Sequence, residues 1–115
     1  MAPAPDPDRE RMKNRRVCEA LSERGDPLTE KRAIDHWAYF PSAAARSAFI
    51  AQAAKLGFLL RATSEPEKPG DRFGARLFRI DVPALDAIDD VTLPLFALAT
   101  AVGGDYDGWE TMVVT

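Results

Sequence analysis

The order in which hydrophobic spacing changes along the chain limits its fold more than any single motif. Residues 33–40 have strand character, with Ile34, Trp37, Tyr39 and Phe40. Pro41 stops that run and Ser42 is placed to cap a helix, in which Ala45, Phe49, Ala53 and Leu56 recur at helical spacing before Gly57. A second strand is expected over 58–62, a turn-rich connector over 65–70 and a third strand over 73–82. A short turn over 83–88 and a second core helix over 89–102 follow, with Val91, Leu95, Leu98 and Val102 on one face. Pro94 fits such a helix only near its first turn, because it lacks an N–H and crowds the preceding carbonyl. Gly103 and Gly104 can take positive φ without penalty and end the helix. The last strand occupies 106–113, and Gly108 inside it signals a bulge or a close backbone approach.

Upstream, residues 1–7 alternate small residues, Pro and Asp and are expected to form a disordered leader. Asp8 is expected to cap a helix over 8–25. Its apolar stripe of Met12, Val17, Cys18 and Leu21 is narrow, so the helix needs a surface to lie on. Its basic residues are interrupted by Glu10, Glu19 and Glu23, which reads as a solvated face rather than a nucleic-acid patch.

The pattern over 8–115 is a helix followed by β-α-β-β-α-β, a single α+β domain with the ferredoxin-like arrangement and a four-stranded antiparallel sheet. Right-handed crossovers place the first strand between the third and fourth, so 34–40 and 106–113 should be antiparallel neighbours. Two helices cover only one face of such a sheet. Yet Ile34, Ala38 and Phe40 oppose Trp37 and Tyr39, and Phe73, Ala75 and Leu77 oppose Phe78 and Ile80, so neither face is clearly polar. The far face is therefore expected to be covered, by the N-terminal helix or by a second copy in a homo-oligomer built through the sheet face.

The formal net charge of −3 is mild, but its distribution is not. All 15 Lys and Arg lie between Arg9 and Arg79, whereas Asp81, Asp86, Asp89, Asp90, Asp105, Asp107 and Glu110 follow with no basic residue among them. An acidic end of this kind favours a cationic partner and repels phosphate, which argues against direct nucleic-acid binding. Cys18 is the only cysteine, so neither an internal disulfide nor a multi-cysteine metal site is available. No run approaches the roughly 20 apolar residues of a membrane span, and no apolar signal-type stretch opens the chain. These features predict a reduced, cytoplasmic protein.

The strings Ala20-Leu21 with Gly25-Asp26, Asp35-His36-Trp37-Ala38-Tyr39-Phe40, Leu56-Gly57-Phe58, and Gly103-Gly104 followed by Tyr106-Asp107-Gly108-Trp109-Glu110 form a distinctive set. Together, over residues 14–114, the chain resembles the RraB family, protein regulators that inhibit bacterial ribonuclease E. The resemblance implies a ferredoxin-like α+β domain that binds the ribonuclease, modulating RNA processing and decay, rather than cutting RNA.

Three site chemistries are compatible with the residues. In the first, Trp37, Tyr39, Tyr106 and Trp109 form the apolar centre of a protein-binding patch with Asp105, Asp107 and Glu110 as its charged rim, and Asp35 and His36 complete the candidate set. In the second, His36 faces Asp107 or Glu110 across the strand pair and serves a small enzyme or ligand-binding domain as an acid–base couple. No Ser or Cys nucleophile lies near it in sequence and no phosphate-binding glycine loop is present, so the chain is read as a non-enzyme. In the third, Asp105, Asp107 and Glu110 offer hard oxygen ligands, but their spacing lacks the rest of a calcium loop, and no metal or other cofactor is implied.

Overall fold

The structure, a computed structural model, describes residues 5–115. The elements are α1 (Pro7–Glu23), β1 (Arg32–Phe40), α2 (Ala43–Lys55), β2 (Leu59–Ser64), β3 (Phe73–Asp81), α3 (Leu85–Ala101) and β4 (Asp105–Thr111). The sheet order is β2-β3-β1-β4 with every pairing antiparallel. This is the α+β arrangement required by the crossover argument, with β1 central and β4 at its side.

Several boundaries differ from expectation for physical reasons. Asp6, not Asp8, caps α1, its carboxylate accepting from the Asp8 N–H at 2.9 Å. Pro7 has no donor to satisfy and suits the first helical position, so the helix starts earlier. The expected leader falls partly on residues 1–4, outside the described residues. Helix α3 starts at Leu85 and runs through Pro94 well past its first turn, where a turn over 83–88 and a later start were expected. Ile88 joins Val91, Leu95 and Ala99 in the buried stripe, and this packing sets the helix start despite the absence of a side-chain cap. Pro94 is on the exposed side, next to exposed Asp90, whose carbonyl it cannot serve and which water can.

Burial along β1 alternates strictly: Arg32, Ile34, His36, Ala38 and Phe40 are buried and the residues between them half-buried. The buried set meets α2 and α3; Phe40 and Phe49 lie 4.9 Å apart between ring centroids. The N-terminal helix does not cover the other face. It lies beside α3, where the Asn14 amide donates to Thr92 Oγ1 at 2.7 Å and to Asp89 Oδ1 at 2.8 Å. The Trp109 indole N–H donates to Asn14 Oδ1 at 2.8 Å, so one buried amide joins α1, α3 and β4.

The far face is instead covered in part by the chain's own arginines. The Arg76 guanidinium lies 4.8 Å from the Trp37 ring centroid and that of Arg61 lies 4.1 Å from Phe78. Asp35 holds both, accepting from Arg61 Nε and from Arg76 Nε at 3.0 Å each. Guanidinium groups held over the rings explain how aromatic side chains can stand on a sheet face without a covering layer.

Two glycines are needed where they stand. A Cβ on Gly104 would lie 2.4 Å from the Phe40 ring and 2.8 Å from the Tyr39 carbonyl oxygen, so only hydrogen fits. Gly108 has φ +140° at the expected bulge. Trp37 pairs with Gly108 and Ala38 with Tyr106, leaving Asp107 as the extra residue.

Candidate protein-binding surface

The bulge decides how the candidate residues are distributed. Without it Tyr106 and Trp109 would face opposite sides of the sheet. With one extra residue between the paired positions, both turn inward: Tyr106 is 5% and Trp109 7% exposed. His36, paired with Trp109 across the strands, is 2% exposed. These three belong to the core, so the aromatic centre expected of four rings is reduced outside to Trp37 and Tyr39, both half-buried on the far face.

His36 does not meet Asp107 or Glu110. Glu110 pairs with Asp35 on the far face, and His36 Nδ1 lies 2.7 Å from the Tyr106 hydroxyl. Its ring meets Phe58 edge to face, with centroids 5.5 Å apart, and its Nε2 has no hydrogen-bond partner among the described residues. The acid–base couple proposed from sequence is therefore not formed. Burial in this setting disfavours the imidazolium and lowers the His36 pKa from 6.5 to about 4, while the same burial raises that of Tyr106.

A pH dependence follows from that shift. The unfolded chain takes up a proton near pH 6.5 that the folded chain refuses until about pH 4. Stability is therefore greatest above pH 6.5 and falls by roughly 3 kcal/mol as the pH drops to about 4. His36→Gln, which cannot titrate, is expected to flatten the profile across this window. Urea midpoints at about pH 7 and about pH 4.5 check it, and identical slopes for wild type and variant would show that His36 is not buried neutral.

The acids of β4 remain outside. Asp105, Asp107 and Glu110 are exposed. Asp105 forms an ion pair with Arg72, whereas Asp107 and Glu110 have no ion-pair partner among the described residues. The Asp107 carbonyl accepts from Lys13 Nζ at 3.2 Å, tying the bulge to α1. A cleft of about 390 Å³ opens between α1 and β4, with walls that include Glu10, Lys13, Trp37, Tyr39, Asp107 and Glu110.

Sequence reading missed the α1 contribution to this surface. Its available signal was the i,i+3 pair Glu10–Lys13, which marks the side of α1 that turns to β4. It also missed Arg61 and Arg76, which the Asp35 carboxylate collects across two strands. Cys18 is buried, its thiol donating to the Pro83 carbonyl at 3.3 Å, and burial pushes its pKa up, so it packs rather than reacts. Among the described residues no group of three His, Cys, Asp or Glu side chains is placed to hold a metal ion. No helix among them is long and apolar enough to cross a membrane. No curated protein matches the chain. The family model RraB, Regulator of ribonuclease activity B, matches residues 11–111, from α1 through to the end of β4, and the chain belongs to that family.

Proposed function

We propose that this chain is a protein ligand of a ribonuclease E-like enzyme and restrains its action on RNA by occupying a basic, RNA-binding segment. The observation that carries this reading is the β1–β4 pairing, which sets the half-buried Trp37 and Tyr39 beside the exposed Asp105, Asp107 and Glu110. The aromatic rings supply contact area, and the acids supply the charge that a phosphate-binding segment would otherwise find in RNA. Family membership supports a role in regulating ribonuclease activity.

The test is the association rate with a purified ribonuclease E-type enzyme, measured against ionic strength. Wild type is compared with the Asp105→Lys/Asp107→Lys/Glu110→Lys variant. Wild type is expected to associate roughly tenfold faster at low salt. The difference should close as the screening length shrinks from about 10 Å at 0.1 M to about 3 Å at 1 M. Equal rates at low salt, with both proteins folded by circular dichroism, would rule out the acidic rim.

A further inference from the structure

We propose that the cleft between α1 and β4 receives an arginine side chain of the protein partner. This rests on the protein-binding reading above and names the contact that it requires.

Three carboxylates, Glu10, Asp107 and Glu110, stand around the cleft against one ammonium, Lys13. Glu10 is the informative member. It is only 6% exposed, and its Oε1 has a long 3.5 Å contact with Lys13 Nζ. Its Oε2 has no hydrogen-bond partner among the described residues. A carboxylate buried to this degree is costly unless charge and donors meet both oxygens. Lys13 meets one of them weakly, since it also serves the Asp107 carbonyl. A guanidinium brings a positive charge and a planar fork of donors, which is the complement Glu10 lacks.

The aromatic wall points to the same ligand. Across the β1–β3 pairing Trp37 already carries the Arg76 guanidinium over its ring. On its β4 side it faces Gly108, where a Cβ would meet nothing within 4 Å. Trp37 thus lines the cleft beside open space at Gly108, and Asp107 and Glu110 stand on either side of that space in sequence. Arginine suits this better than lysine because its plane stacks on a ring while its edge reaches carboxylates. A volume of about 390 Å³ admits such a side chain with adjoining backbone.

The probe is N-acetyl-arginine amide, titrated into the isotopically labelled full chain, with N-acetyl-citrulline amide as the uncharged control of matching shape. The Gly108 amide and Trp37 indole resonances are expected to move with arginine, with a dissociation constant on the order of 1–10 mM, and at least about tenfold more weakly with citrulline. Asp107→Asn/Glu110→Gln, at exposed positions, should weaken arginine about three- to tenfold at unchanged melting temperature. Glu10→Gln keeps the side chain's shape and should weaken it as well. Equal responses to arginine and citrulline, or shifts confined to β2 and β3, overturn the proposal. A ribonuclease E-type enzyme bound equally by wild type and by Glu10→Gln/Asp107→Asn/Glu110→Gln overturns the cleft alone and leaves the regulator reading standing. Failure of wild type to bind that enzyme, with arginine still seated in the cleft, overturns the regulator reading alone.

Discussion

Trp109→Ala is expected to destabilise the fold by about 3–5 kcal/mol, the range for removing a large aromatic from a core. The indole is buried, and its N–H is the donor to Asn14 Oδ1. Truncation therefore opens a cavity and also leaves a buried amide oxygen without its partner, which by itself is worth about 1–3 kcal/mol. Trp109→Phe separates the two effects. It retains most of the packing and should show only the smaller loss. Denaturant unfolding of the three proteins measures both. A loss below about 0.5 kcal/mol for the alanine variant would place Trp109 on the surface and return it to the binding patch.

Asp26→Ala should have an effect of similar size, about 3–5 kcal/mol, from a different cause. Asp26 and Arg32 are a buried bidentate pair, with Arg32 Nη2 3.0 Å from Asp26 Oδ1 and its Nη1 on Oδ2. Asp26 Oδ1 also accepts from the Leu28 N–H at 2.9 Å and Oδ2 from the Val114 N–H at 3.1 Å. Arg32 donates to the Met112 carbonyl at 3.0 Å. Removing the carboxylate leaves a buried guanidinium uncompensated and two backbone donors unserved. Removing both charges in Asp26→Leu/Arg32→Met should cost less than either single change, because no lone charge remains. A double variant as unstable as the sum of the singles would argue against the pair. The Arg32 guanidinium holds the Asp26 carboxyl well below the usual carboxylate range, so this stabilisation is present above about pH 4 and is lost only in stronger acid. Its window lies below that of His36.

Strand order was legible in the sequence because it depends on few things: the succession of spacings, the handedness of crossovers, and breakers such as Pro41 and Gly57. The pairing of β1 with β4 follows from these alone, while Gly108 inside a strand signalled a bulge or a close backbone approach, of which the structure has the bulge. The inward phase of Tyr106 and Trp109 depends on which residue the bulge leaves unpaired, and a single side-chain step decides core against surface. The place of α1 was illegible for another reason. Its fit rests on Asn14, a polar residue that an apolar-stripe search passes over, meeting Thr92 and Trp109 from distant segments. The Asp26–Arg32 pair was hidden likewise, since charged residues are ordinarily assigned to solvent. Pro94 misplaced the start of α3 because a proline's tolerance depends on whether the carbonyl it abandons faces water.

The central strand has one neighbour, β3, made midway through the chain and another, β4, made near its end. During synthesis, α1 and β1 leave the ribosome long before the residues that complete them. Asn14 waits for the Trp109 indole, Arg32 for the Met112 carbonyl, and Asp26 for the Val114 amide. Until then the growing chain carries a buried-type ion pair and a hydrogen-bonding amide with their sockets unmade, and one long edge of β1 lies open to other chains. Stable folding therefore waits on residues 105–114, and a chain halted before residue 105 keeps the β4 side of β1 unpaired and these three buried groups without their partners.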